Sequence, residues 1–139
     1  MKMLNFVIKF STNGNCQTVE ITDKVSAELQ KSGLSSGILT VFVPGSTGAI
    51  ATMEYEPGLV EDTEKYFKDL VKEKNAYKHD INCKTANASS HLRATLMGPS
   101  LTIPFENSKM QLGTWQQITF IEFDNRSRDR EIIIKIIGQ

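Results

Sequence analysis

Two histidines, one arginine and a glycine–hydroxyl turn are the residues whose types and spacing could do chemistry in this chain. His79 lies in Tyr77-Lys-His-Asp80, and His91 in Ser89-Ser-His-Leu-Arg-Ala-Thr95. Imidazole titrates near neutral pH, so either ring is a candidate general acid–base. Read as the start of a strand, 91–97 places His91, Arg93 and Thr95 on one face and Leu92, Ala94 and Leu96 on the other. That polar face is either a solvated outer surface or the wall of a pocket shared with His79. In the second case Arg93 would hold a carboxylate or phosphate through two parallel hydrogen bonds. Two imidazoles and a carboxylate, Glu54 or Asp80, would also suit a divalent metal, although the spacing of the histidines matches no tight metal motif.

A second candidate lies upstream. The apolar run from Gly37 to Val43 empties into Pro44-Gly45-Ser46-Thr47-Gly48, and the next apolar segment ends on Glu54 and Glu56. Backbone N–H groups and small hydroxyls in such a turn suit an oxyanion. The same residue types also make ordinary turns. Trp115, in Gly113-Thr-Trp-Gln-Gln117, reads as a core or interface anchor. Gln116 and Gln117 point to opposite faces, so at most one shares a pocket with the polar side of the sheet. The mixed-sign stretch Asp124-Asn-Arg-Ser-Arg-Asp-Arg130 reads as a solvated hairpin loop with local ion pairs. Cys83 lies four residues after His79, near enough in the chain for a Cys–His pair, but nothing marks its thiol as activated. No nucleophile elbow, P-loop or Cys-x-x-Cys pair is present.

The elements that must position these residues follow from periodicity. Residues 3–10 alternate Leu4, Phe6, Ile8 and Phe10 with a second set, which predicts a strand with one strongly buried face. A turn at 11–15 leads to a short partner strand at 17–21. A helix is expected over 22–32, with Thr22 as N-cap, Val25 and Leu29 inward and Gly33 as the C-cap glycine. Strands are expected at 37–43 and 48–55, and a break at Pro57-Gly58. A helix over 60–74 would turn Phe67, Leu70 and Val71 inward. Residues 75–90 read as a long polar loop. The last third reads as all strand: 91–97, 101–105, 109–112, 115–124 and 130–137. Its Ile132–Ile137 run is buried on both faces or lies at a subunit contact. The fold class is therefore α+β, largely antiparallel sheet with two helices, in one domain over 1–139.

Composition removes several functions. The chain has 139 residues, with 16 basic and 16 acidic side chains, so it lacks the charge footprint of a nucleic-acid binder. No apolar run is long enough to span a bilayer. The N-terminus lacks the apolar core and cleavage site of a signal peptide. Cys16 and Cys83 are too few for a disulfide framework and read as free thiols, so a cytoplasmic protein without membrane or nucleic-acid partners is expected.

Several segments together resemble the YjbQ-like family, an uncharacterised-protein family also described as secondary thiamine-phosphate synthase enzymes. They are Val43-Pro-Gly-Ser-Thr-Gly-Ala-Ile50, Glu54-Tyr-Glu-Pro-Gly-Leu-Val60, Tyr77-Lys-His-Asp80, Ser90-His-Leu-Arg-Ala94, Leu96-Met-Gly-Pro-Ser-Leu-Thr-Ile-Pro104 and Leu112-Gly-Thr-Trp-Gln-Gln117. The resemblance implies a small α+β subunit in a ring-shaped homotrimer, with Glu54, His79 and His91 in a pocket near a subunit boundary. Ser46, Thr47, Arg93 and Gln116 are then the candidate anion contacts. His79 and His91 are the candidate ligands of a divalent metal, zinc or magnesium. The implied activity is thiamine-phosphate synthase-like, joining a pyrimidine pyrophosphate to a thiazole phosphate. Magnesium would screen that pyrophosphate, yet no acidic cluster beyond Glu54, Glu56 and Asp80 is evident. The commoner branch of the family carries a histidine where this chain has Gly45, so the chain resembles the Gly-Ser-Thr-Gly branch, which has one candidate ligand fewer. Two alternatives to an enzyme stand beside it: a non-catalytic trimer that binds a small anion or metal, and a structural subunit whose pocket is vestigial.

Overall fold

A computed structural model describes all residues from Met1 to Gln139. Alternation builds its longest pair of strands. β1 (Lys2–Thr12) and β8 (Arg128–Gly138) run antiparallel through their full lengths, from the pair Lys2 and Gly138 to the pair Thr12 and Arg128. Ile132, Ile134 and Ile136 point inward and are fully buried, while Ile133 and Ile137 are half-covered on the outer face. The isoleucine run therefore has one closed face and one partly open face.

Four helices and six further strands complete the frame. They are β2 (Gln17–Glu20), α1 (Thr22–Ser32), β3 (Ser36–Phe42), β4 (Gly48–Met53), α2 (Pro57–Leu70), α3 (Lys78–Asn82), α4 (Ala88–Met97), β5 (Ser100–Glu106), β6 (Lys109–Met110) and β7 (Gln117–Glu122). All pairings are antiparallel. One sheet has the order β1-β8-β3-β5-β6 and the other β2-β7-β4. The main core lies between the two sheets and under α1, and includes Leu39, Ile103, Ile134, Ile50, Phe120 and Leu29. On the other side of the small sheet, Cys16, Ala49, Ile121 and Phe123 meet Phe67 of α2 and Ala94 of α4. β7 is thus covered on both faces, and five of its six residues are buried.

Four expectations change. Residues 91–97 form α4 rather than a strand. Ser90, Arg93, Ala94 and Met97 follow helical spacing and turn toward the sheet, whereas Leu92 and Leu96 are largely exposed. The apolar alternation of Leu92, Ala94 and Leu96 competed with that helical stripe, and tertiary packing selected the stripe. The supposed long loop at 75–90 accordingly contains α3 and the first turn of α4. α2 starts at Pro57, because proline suits the first helical turn and Glu56 accepts from the N–H groups of Gly58 and Leu59, both at 2.8 Å. Its end comes at Leu70, which is half exposed, so Phe67 alone is buried on this helix. Thr22 does not cap α1. Its hydroxyl instead accepts the Ile118 N–H at 2.9 Å, tying the helix start to β7. Gly33 does adopt the left-handed C-cap conformation.

The largest departure is at 124–130. An exposed bend at 125–127 and local ion pairs from Arg126 and Arg128 to Asp124 are present as expected, but Asp124 and Arg130 at its ends are buried and β8 begins at Arg128. Arg130 has the same strand parity as Ile132, Ile134 and Ile136 and therefore points inward. Its Nε and Nη2 donate to the two carboxylate oxygens of fully buried Glu122, and Nη2 also donates to Thr47 Oγ1 at 2.9 Å. Thr12 donates to the same carboxylate at 2.8 Å. Asp124 accepts from Arg128 at 2.6 Å and from Asn87 at 3.2 Å. Burial pushes the Asp124 carboxyl up, but bonds from Asn87, the Asn125 N–H and Arg128 outweigh it and hold the group below its ordinary value. The network fastens β1, the 44–47 turn, β7, β8 and the N-cap of α4 to one another.

Two outcomes are expected. Glu122→Gln, which leaves Arg130 buried without its counter-charge, should lower unfolding stability by about 3–5 kcal/mol. Removal of the exposed Lys9–Glu131 pair should leave urea unfolding unchanged. A depressed aspartate contributes stability above its unfolded value and loses it as pH falls through its folded value. Wild-type stability should therefore drop below about pH 3.8, the ordinary aspartate value, more steeply than that of Asp124→Asn. Equal acid slopes for the two proteins would remove Asp124 from the account.

Candidate functional site

The two histidines are neighbours. α3 carries His79 and α4 carries His91, and their ring centroids are 4.9 Å apart with a 51° angle between planes. Asp80 organises the pair. Its Oδ1 lies 3.0 Å from His79 Nδ1 and accepts the Ala88 N–H, at the first residue of α4, at 2.9 Å. A carboxylate near a helix N-terminus is favoured by the helix dipole. The bond to His79 is the chief reason that the Asp80 carboxyl is held below its ordinary value, with the Ala88 N–H adding to the effect against some desolvation. Since an ionised carboxylate only accepts, His79 Nδ1 carries the proton and Nε2 is left as the free base. Tyr77, Lys78, Ala88 and Leu92 join the two rings around an open cavity of about 340 Å³.

The other predicted residues lie elsewhere in the subunit. Arg93 does not share a face with His91, because the segment is helical. It is buried on the other flank of α4, where it donates to Phe67 O at 3.2 Å, Val71 O at 2.6 Å and Cys16 Sγ at 3.4 Å. Glu54 lines a separate cleft with Glu20, Tyr55 and Trp115. Trp115 is 72% exposed, in the turn before β7, and is no part of the core. Gln116 bonds to Thr52 and to the Gly113 N–H beside another cleft. Thr47 is buried in the Glu122–Arg130 network, while Ser46 is exposed. Gly45 adopts φ +121°, and a Cβ there would lie 3.2 Å from Arg130 Nη1, so the guanidinium nearest this turn belongs to Arg130.

Both cysteines are free. Cys16 is buried, and Cys83 is partly exposed with its sulfur 3.0 Å from Thr85 Oγ1, a bond that lowers the pKa of the thiol. Cys83 does not line the histidine cavity.

Sequence reasoning missed Asn87, Ser89, Ser90 and Arg130. The parity of Arg130 with the buried isoleucines was a usable signal. The role of Asn87 had none, because its partner Asp124 lies far away in the chain.

For a resident metal, the two imidazoles are the only imidazole donors, and Asp80 is already engaged by His79 and the Ala88 N–H. No group of three histidine, cysteine or acidic side chains in the chain could hold an ion. Protein metal sites commonly take three or more such donors, so one subunit does not supply a complete set. No helix is long and apolar enough to cross a membrane.

Comparison with known proteins gives one consistent result. The family described as UPF0047 protein YjbQ-like matches residues 6–139. A UPF0047 protein of Methanothermobacter thermautotrophicus is 39% identical over 139 residues, covering 100% of this chain and 95% of that protein. A UPF0047 protein of Archaeoglobus fulgidus is 37% identical, covering 94% of this chain and 98% of its own. Among solved structures, a YbjQ-like protein of unknown function from Sulfolobus solfataricus superposes with a TM-score of 0.89 at 33% identity, covering 99% of this chain and 100% of that one. A hypothetical protein from Aeropyrum pernix gives a TM-score of 0.88 at 35% identity, with 100% of both chains covered. With the match running from the first strand to the last residue, the chain belongs to the UPF0047, YjbQ-like family.

Proposed function

We propose that this protein is an enzyme acting on a phosphorylated small molecule, with His79 and His91 as its acid–base pair. The observation that carries this reading is the arrangement of two imidazoles 4.9 Å apart at an open cavity, one of them oriented by a carboxylate. Asp80 fixes the tautomer of His79 with the proton on Nδ1, which leaves Nε2 to accept a proton from the substrate. His91, on the rigid frame of α4, serves as the second proton-transfer group. Glu54 is separated from this pair within one subunit and would need a neighbouring subunit to approach it. Thiamine-phosphate synthase-like condensation is the first reaction to test. No step is assigned to a metal.

A ring-shaped homotrimer belongs to the same proposal. Its support is the outer face of the five-stranded sheet, where Met3, Ile137 and Ile38 form one apolar row and Val7, Ile133 and Phe42 form a second. Ile81, Leu92 and Leu96 also leave apolar surface exposed beside the histidine cavity. Covering such faces favours assembly.

The test is turnover of a phosphorylated substrate by wild type, His91→Ala, His79→Ala and Asp80→Asn, with oligomeric state checked by light scattering. His91→Ala should lose turnover by about 100-fold or more with assembly unchanged. Asp80→Asn should lose less and shift the pH profile. Undiminished turnover in both histidine variants would remove the acid–base assignment. Saturable ligand binding without turnover in wild type would favour the non-catalytic binding protein.

A further inference from the structure

Arg93 has a charge that the chain does not balance. Of the two buried arginines, Arg130 faces Glu122, whereas Arg93, only 3% exposed, has no carboxylate in salt-bridge contact. Its contacts are two carbonyl oxygens and a thiol. The carbonyls of Phe67 and Val71 are at the C-terminal end of α2, where the helix dipole returns about half a charge. Cys16 does not supply the remainder. Burial raises the pKa of its thiol, and the opposing pull of Arg93 is the smaller effect. Three bonds also leave donor capacity unused on a guanidinium with five N–H groups. A buried charge in this condition is unfavourable unless something else completes it.

The adjoining surface holds donors that also lack acceptors. Ser89 and Ser90 are 3% and 1% exposed, and neither hydroxyl hydrogen-bonds within the chain, although both residues line a cavity of about 350 Å³ with Arg93. The Ser89 N–H, in the first turn of α4, makes no backbone hydrogen bond. Asn15 and Lys68 extend the same wall, Lys68 with its ammonium already paired to Glu64, and Glu73 is the single carboxylate of the lining. The Arg93 guanidinium, two hydroxyls and a helix N-terminal N–H, with Lys68 shared with Glu64, are donors on one cavity of the kind a tetrahedral oxyanion takes. The histidine cavity uses Ala88, His91 and Leu92, so the first turns of α4 separate two different cavities.

We infer that the cavity lined by Ser89, Ser90, Arg93, Lys68 and Asn15 binds a tetrahedral oxyanion, the phosphoryl group of a ligand. This rests on the phosphorylated-substrate reading for the identity of the ligand, and on its own donors for the location. Arg93 donates to the bound oxygens while it continues to cap α2. Ser89 and Ser90 contribute hydroxyls, and Glu73 opposes binding by its like charge.

The test is calorimetric titration of the full chain with inorganic phosphate, with acetate as the planar-anion control. Arg93 is kept, since replacing it would also release the end of α2. Wild type should bind phosphate saturably, and more tightly than acetate. The double variant Ser89→Ala, Ser90→Ala should bind about tenfold more weakly with unchanged thermal unfolding. Glu73→Gln should bind more tightly, and His91→Ala should bind as wild type does. Absence of saturable binding in wild type overturns the inference, as does unchanged affinity in the double serine variant. Loss of phosphate binding in His91→Ala with the serine variant unaffected would place the anion at the histidines and overturn it too. Phosphate binding that depends on the serines, without turnover of any phosphorylated substrate, would retire the enzyme reading and leave this site standing.

Discussion

The buried pair of Glu122 and Arg130 is the constraint on which the arrangement of this molecule depends. Both groups lie where water cannot solvate them, so each requires the other. Their partners come from separate parts of the chain: Thr12 at the end of β1 and Thr47 in the turn before β4. Asp124, two residues beyond Glu122, extends the polar cluster to Arg128 and to Asn87 at the cap of α4. A polar network of this kind in an otherwise apolar interior fixes registry, because a shift of one strand leaves a charge unpaired.

The position of α4 follows from that network. Its N-terminal end is held from two directions, by Asp124 through Asn87 and by Asp80 through the Ala88 N–H. Its inner face packs Ala94 against the second core, and Arg93 reaches across to the end of α2. One short helix therefore presents His91 on one flank and Arg93 with Ser89 and Ser90 on another. The chemistry on each flank differs because the helical period distributes adjacent residues around the axis.

Charge balance also separates the two arginines by role. Arg130 is saturated with acceptors and holds strands together. Arg93 has carbonyls and a neutral thiol, which suits a cap but leaves charge over. Side-chain type alone does not distinguish them. The distinction comes from what the fold brings within reach.

Much of the sheet framework was legible in the sequence, because its signals are local. The alternation in β1, the helix at 22–32 with Gly33 and the strands at β3, β4, β5, β7 and β8 follow from period and turn chemistry within a few residues. A pocket shared by His79 and His91 was one of two readings open in the sequence, and it placed Arg93 with them, which the fold does not. The identity of α4 was not, because Leu92, Ala94 and Leu96 mimic a strand, and the choice belonged to the packing of Ser90, Arg93 and Ala94 against the sheet. The buried carboxylates and their arginines were likewise hidden, since a charged stretch reads as solvated until distant partners enclose it. By itself the sequence determined where apolar periodicity and turn residues put strands and helices. Only the tertiary structure decided which charges were buried, which cavity each polar residue faced, and that Glu54 and Arg93 stand apart from the histidines, because those outcomes depend on contacts between residues far apart in the chain.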